Sequence, residues 1–594
     1  MLESMDATNP DQRPSSFVVH EHDAYNIDVP VLIVGGGPAG LFQAHLLSQL
    51  GVKCLIVERY PERLGAPKAH ALSPRSLEIC RQSHLDVAKI RQLGTQRRDA
   101  YWVNFVTNLS GQTIGVLPYE RMDVDVLRYT PEMIHNIPQP AFEQYLTDVL
   151  AKDSNVDIRR GVSFISLRQD GFQAVITTVE ERTTGHQFQI RSKYLIACDG
   201  ARSKVRTGLG IGSDGEDSYE TMMTIHFNAN LRPIVGNRVG MLHWIADPLA
   251  SGFIIAYDLS GNSVLISNFD ATKQPVESWN QELCRQTVTS AIGKDIPFDV
   301  LSYRPWVLSR KVARFYRQGN VFLAGDAAHS FPPTGGLGLN SGLGDVHNLA
   351  YKIALVLQGK ASERLLDSYD EERRQVAIVN SIQSVKNGKQ IFGLLKTLGI
   401  GEDAVRARRN LYASLGDPDK KREIDEGIEA QREHFDNLAL HIGYVYGDKS
   451  IPPHASKYVP SFAVGARLPH AWIRLLRQQS STKPNLAPVD VSYVDEFSAD
   501  DIQLRQHSTL DLCDIDKFTL LGNLDSVPGV KSYRLGRDFE VVGPGADGWL
   551  ASSGLDKAGG LLVRPDQHIL MVLDATTTAK DVEIVLDKYL GRSH

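Results

Sequence analysis

The chain has 594 residues, more than one hydrophobic core accommodates, so roughly two to four domains are expected. Its 64 Lys and Arg against 70 Asp and Glu leave a formal charge of −6 with no basic block, which argues against a nucleic-acid partner. No run reaches the roughly eighteen apolar residues of a membrane span, and Cys54, Cys80, Cys198, Cys284 and Cys513 form no CxxC pair, so a cytoplasmic protein without disulfides or structural zinc is expected.

Residues 1–26 begin MLESMDATNPDQRPSS and read as a disordered leader. From Val29 the pattern becomes α/β. VPVLIVGGGPAGLFQAHLLSQLG is a β-branched run, a Gly35-x-Gly37-x-x-Gly40 turn carrying Pro38 and Ala39, and a helical pattern closed by Gly51. This is the strand-turn-helix context of a dinucleotide fingerprint: glycines admit the tight turn and the approach of a pyrophosphate, and the helix N-terminus faces it with N–H groups and positive dipole. The next strand pattern, KCLIVE, ends in Glu58, beside Arg59, where a carboxylate can accept hydrogen bonds from ribose hydroxyls.

A second apolar strand pattern ends in Asp199-Gly200, within YLIACDGARSKVR. From Thr221 to Phe269 short β-rich runs (TMMTIHF, VGMLHWI, GFIIAYDL, SVLISNF) suggest an antiparallel sheet inserted at about residues 205–310. A third strand ends in Gly325-Asp326, followed by a Gly-rich turn through Gly338, Leu339 and Asn340 into a helix. Gly344 to about Tyr446 is helix-like in composition, residues 448–463 read as a linker, and strand and helix patterns resume over 464–594. Few contacts across the linker are expected, so residues 27–447 should stand alone as a nucleotide-binding unit.

The three motifs, in this order, resemble those of the class A flavoprotein aromatic hydroxylases, the p-hydroxybenzoate hydroxylase superfamily, and especially its phenol and dichlorophenol hydroxylase branch. The resemblance implies a Rossmann-like FAD-binding domain over 27–447, with the inserted sheet as substrate domain, and a thioredoxin-like domain over 464–594. It implies that Asp326 contacts the FAD ribityl chain, and that Asp199 and Gly200 serve the FAD pyrophosphate and a transient NAD(P)H. The Gly338-Leu339-Asn340 backbone would face the isoalloxazine. GAPKAHALSPRSLEIC and IPQPAFEQYL also resemble family segments, which makes Arg75 a flavin or phosphate contact and Gln139 an FAD contact. In LLDSYDEERRQVA, Tyr369, Glu371 and Arg373 are read as packing and pairing residues. The lone Cys513 rules out dithiol chemistry and leaves the C-terminal domain a packing or homodimerisation role.

The implied reaction is hydride transfer to the flavin, capture of O2 as a flavin hydroperoxide, and transfer of one oxygen atom to a phenolic small molecule. Water must be kept out, and Trp244, Phe253, Tyr257 and Trp306 are candidate lining residues. Electrophilic attack is fastest on a phenolate, so a group sharing the phenolic proton is needed. His70 is the preferred candidate, with Tyr257 or His243 next. Plain transfer from a phenol to an ordinary histidine is uphill by about 5 kcal/mol, so the pocket must help. A rate limb at about pH 6–8 would report such a histidine. The alternatives are a flavin-dependent halogenase or reductase on the same scaffold, or a flavin-binding interaction protein without turnover. The halogenase WxWxIP signature is absent.

Overall fold

The computed structural model describes residues 27–62, 65, 69–119, 121–269, 271–400, 403–476, 487–524, 527–557 and 559–592. The leader expected over 1–26 lies outside them. The apolar run Ile27–Val34 is the centre of the first sheet, with Val31, Leu32 and Ile33 wholly buried. Strands covered on both faces read as unbroken apolar runs, as the second half of this one, residues 31–34, does, whereas Asp28 and Pro30 in its first half are exposed. The order across the sheet is Arg317–Gln318, Val321–Leu323, Gln187–Ala197, Ile27–Val34, Cys54–Glu58 and Val156–Arg160, parallel from Val321–Leu323 onward. The helices Pro38–Gln49 and Leu337–Leu357 pack together on one face. Three neighbouring parallel strands therefore end side by side at Val34, Ala197 and Leu323, and the three motif loops leave from there. Ligands of doubly wound sheets bind in the crevice beyond those carboxyl ends.

The inserted sheet has eight strands, ordered His329–Ser330, Phe298–Ala313, Ser213–Ala229, Asn262–Phe269, Gly252–Asp258, Leu242–Ile245, Trp102–Val106 and Thr113–Pro118. It extends beyond the expected 205–310 by recruiting two upstream strands, because Trp102–Val106 pairs in parallel with Leu242–Ile245, Val103 opposite Leu242. That pairing spans a long sequence separation and leaves no local pattern. Side chains alternate across the pleat. Ile245, Ile254 and Leu265 pack under the helix Gln281–Ile292, whereas Phe105, Leu242, Trp244, Ile255, Tyr257 and Trp306 gather on the other face. The ends of the helices Asp367–Thr397, Ala404–Leu415 and Pro418–Glu429 close over that second face through Leu394, Leu411 and Ile428.

The C-terminal part holds a sheet ordered Val530–Tyr533, Phe518–Gly522, Gly560–Val563 and Ile569–Leu573, the first pair parallel and the others antiparallel, followed by the helix Ala579–Leu590. It is not loosely tethered. Phe518, Leu562 and Val582 belong to the same apolar core as Val31 and Leu349. Within 448–463, Ala455 is buried with Leu337 and Leu440, and the Ser456 carbonyl accepts a hydrogen bond from Arg121. Most of the segment is exposed, and it is these few residues that anchor it. Buried ion pairs also cross the boundary: Arg81 donates to both oxygens of Asp511 at 2.9 Å, and Arg564 grips Glu372 at 2.6 and 2.9 Å. The expectation of few crossing contacts is therefore corrected.

Candidate active site

The three loops enclose a cavity of about 410 Å³. Gly35, Gly37, Pro38, Ala39, Glu58, Arg59, Gln139, Asp199, Gly200, Asp326, Gly338, Leu339 and His70 all line it. Gly35 has φ +110°, and a Cβ there would lie 2.3 Å from the Cys198 carbonyl oxygen; at Gly40 it would lie 2.0 Å from the Gly35 carbonyl oxygen. Only glycine lets the helix Pro38–Gln49 begin so close to the strand.

Two helix N-termini face this one cavity. Gly37 caps Pro38–Gln49 and Gly336 caps Leu337–Leu357, so both ends present N–H groups and positive dipole to the same space. Glu58 is oriented by two backbone donors, accepting from Gly36 N at 2.7 Å and Tyr60 N at 2.9 Å. Asp199 accepts from Lys204 N at 2.8 Å through Oδ2, while its buried Oδ1 has no partner among the described residues. Burial raises the Asp199 carboxyl above the ordinary range. A Cβ at Gly37 or Gly338 would find no heavy atom of the described residues within 4 Å. An elongated anionic dinucleotide with a polar ribose end and a flat ring end fits this cradle.

Beneath the Gly325–Asp326 turn lies a fully buried network. Asp345 accepts from His329 Nε2 at 2.8 Å, Gly325 N at 3.2 Å and Arg373 Nε at 2.9 Å. Burial alone would raise the Asp345 carboxyl, but His329 and Arg373 hold it below the usual range. The turn that presents Asp326 is thus fixed by charge.

Residues 28–381 match the family model described as FAD binding domain. The chain belongs to that family. It is 32% identical over 95% of its length to the tetracenomycin B2 monooxygenase-dioxygenase of Streptomyces olivaceus, covering 98% of that protein. It is 29% identical to the 2,4-dichlorophenol 6-monooxygenase of Delftia acidovorans, over 91% of this chain and 94% of the relative. Among solved structures it superposes with a TM-score of 0.82, at 26% identity, on the flavin-dependent monooxygenase PieE in complex with FAD and substrate, covering 96% of this chain and 100% of that one. The chain is an FAD-dependent aromatic monooxygenase of the class A flavoprotein hydroxylases.

His70 lines the FAD site and is half-buried, its Nε2 2.9 Å from the Tyr119 hydroxyl. Burial pushes its pKa down to about 4, so it is neutral at neutral pH. The expected rate limb at about pH 6–8 therefore does not follow from His70 in this setting. Gln139 ties the strip carrying His70 to the flavin cradle, accepting from Ala69 N at 3.3 Å and donating to Glu143 at 2.7 Å.

Arg75 departs from its expected place. It is buried against the C-terminal domain, donating to Gln567 Oε1 at 2.6 Å and to the Asp566 carbonyl at 2.8 Å, and it does not line the cavity. It heads the helix Pro74–Gln82, whose polar face the C-terminal domain needs for pairing. The Asn340 side chain accepts from Ser73 N at 2.8 Å and Ser76 Oγ at 2.7 Å, clamping that helix to the flavin-facing turn. Tyr257 is buried on the aromatic face, its hydroxyl 3.4 Å from the Ala69 carbonyl, and burial raises its pKa, so it is no base. His243 points to the opposite side of the sheet from Trp244 and bonds the Gly240 carbonyl. Trp244 stacks on Phe253 at 4.9 Å, and Trp306 donates to Thr224 Oγ1 at 2.8 Å.

Sequence reasoning missed Tyr119, His434 and the Asp345–His329 pair. Asp345 and His329 stand inside the third motif, where a buried acid in an apolar helix was the available signal. Tyr119 and His434 are brought to His70 and Trp244 only by the tertiary fold.

Proposed function

We propose that this enzyme hydroxylates a phenolic ring seated between His70 and the aromatic face of the eight-stranded sheet, consuming NAD(P)H and O2. The observation that carries the reading is His70 itself: a neutral imidazole, paired with Tyr119, inside the cavity that the FAD-binding loops enclose. FAD supplies the hydride acceptor for NAD(P)H and the centre that activates O2. The two helix N-termini oppose its negative charge, Glu58 receives ribose hydroxyls, and Asp326 receives the ribityl chain. Gly338 and Leu339 line the cavity, and their backbone N–H groups would face the ring.

A phenol with pKa near 10 loses its proton to a histidine at about 4 only at a cost of about 8 kcal/mol. His70 therefore acts as a hydrogen-bond acceptor that polarises the hydroxyl, with Tyr119 orienting the imidazole, and not as the carrier of a full proton. Trp244, Phe253 and Trp306 pack on the aromatic face outside the lining of the FAD cavity, and a ring seated against that face would meet them as a flat apolar wall that excludes water.

The C-terminal strand order, one parallel pair followed by two antiparallel strands and a helix, supports a thioredoxin-like domain kept for packing. Cys513 is buried ahead of its first strand. A cytoplasmic location fits five free cysteines, and no helix among the described residues is long and apolar enough to cross a membrane.

The test is a panel of phenols added to the FAD-loaded enzyme with NADH or NADPH. The expected result is stimulated oxygen uptake and a product one oxygen atom heavier. Oxygen uptake that yields only H2O2 with every phenol would overturn the reading.

A further inference from the structure

One corner of the aromatic face is polar and unsatisfied. Trp244 lies between Phe253 and Phe105, yet its indole Nε1 is out of reach of solvent and has no partner among the described residues. The His434 ring meets Trp244 edge-on at 5.6 Å and stacks on Phe435 at 4.4 Å with planes 8° apart. His434 Nδ1 is likewise buried without a partner among the described residues. Both side chains sit by the core around Ala71, Tyr119 and Tyr257, near His70, and protonation of either histidine opposes protonation of the other. Burial and that neighbour push His434 down to about 3, so it is a neutral ring offering one N–H and one lone pair.

Unpaired buried polar atoms on two rings in contact are costly in a packed interior, because each loses its solvation without recovering a hydrogen bond. The indole N–H can only donate, so what completes it must be an acceptor oxygen. A simple phenol has one oxygen, and His70 with Tyr119 already claims it. We propose that Trp244 and His434 form a second oxygen-recognition site, and that the substrate is an aromatic ring system bearing a carbonyl in addition to its phenolic hydroxyl. The carbonyl accepts from Trp244 Nε1, and His434 meets either the same oxygen or a hydroxyl beside it. This rests on the hydroxylase reading above and narrows it: the residues set which rings are chosen and in what orientation, and His70 still receives the reacting hydroxyl.

The experiment titrates oxidised, FAD-loaded enzyme with 1-hydroxyanthraquinone and with 1-hydroxyanthracene, which share a skeleton and differ in the carbonyls, using calorimetry and no reductant. The wild type should bind the quinone on the order of ten-fold tighter, the effect of one buried hydrogen bond. Trp244→Phe keeps a ring on Phe253 but lacks the donor, and it should erase that preference, read as the ratio of the two affinities. His434→Phe keeps the stack on Phe435 and should reduce the preference too. FAD content is the folding control, and if His434→Phe does not fold, Trp244→Phe decides alone. Equal wild-type affinity for the two rings, equal weakening of both by Trp244→Phe, or no binding of either overturns the second site. Preference as expected without any NAD(P)H-driven oxygen uptake would sink the hydroxylase reading and leave the binding site standing.

Discussion

Replacing Asp345 by Asn tests whether the FAD loop is held by charge. The side chain keeps its shape, and one oxygen can still accept from Arg373 Nε, which is 2.9 Å away in the parent. The other position becomes an NH2 facing the Gly325 N–H, 3.2 Å from it in the parent, so donor meets donor. Arg373, 2% exposed, keeps its charge and loses its counter-charge. Breaking a buried pair on one side costs about 3–5 kcal/mol, and the orphaned Gly325 N–H falls within that figure because the groups share one site. Against a typical stability of about 5–15 kcal/mol, this is a large fraction of the total. The Asp345→Asn protein should therefore unfold at clearly lower urea, followed by flavin release. Its FAD affinity should fall by about ten-fold or more, because the Gly325–Asp326 turn loses its anchor. Stability within about 1 kcal/mol of the parent together with unchanged FAD affinity would show that packing, not this network, fixes the turn.

His70→Ala should retain FAD and slow uncoupled NAD(P)H oxidation while product per NAD(P)H falls by about 10²- to 10⁴-fold, measured as the ratio of product to H2O2; an unchanged ratio returns His70 to a packing role. Ending the chain after residue 463 removes the C-terminal partners of Arg75, Arg81 and Glu372 and part of the shared core, so the remainder should be recovered aggregated or without FAD. A soluble, yellow truncated protein would contradict this. Burial pushes His70, His243, His441 and His568 to about 4, and His135, His434 and His470 to about 3. The unfolded chain takes up protons near pH 6.5 that the folded chain refuses, so stability is full above that pH and is lost as pH falls from about 6.5 toward 4. A melting temperature that stays flat from about pH 7 to pH 5 would refute the assignment.

The FAD cradle was legible because its residues follow the backbone. Gly35, Asp199 and Asp326 stand one, two and three residues past the ends of apolar parallel strands, and neighbouring strands place their loops together without further instruction. Arg75 was misplaced because a cation in a family-like strip carries no mark of direction, and the groups that claim it, Asp566 and Gln567, lie at the far end of the chain. The upstream strand Trp102–Val106 was invisible for a related reason: a short strand that joins its sheet at long range leaves no local period, and it carries its hairpin neighbour Thr113–Pro118 into the sheet with it. His434 stands in a four-residue helix, Arg432–Phe435, and only the fold turns it toward Trp244.

The grip of the C-terminal turn on the flavin half has a temporal side. Glu372 and Arg564 are 192 residues apart, and Arg75 and Asp566 are 491 apart. At about 5–20 residues per second of translation, Arg75 leaves the ribosome roughly 25–100 s before its partner is made. During that interval the nascent flavin half carries the Arg75 and Glu372 charges without their cross-boundary partners, and apolar surface that the last strands will later cover. The crevice for FAD can be outlined early, but its supporting wall closes only once the turn at residues 564–568 has emerged. Arrested nascent chains ending before Arg564 should accordingly remain open to proteolysis and slow to take up FAD, whereas released full-length chains should not.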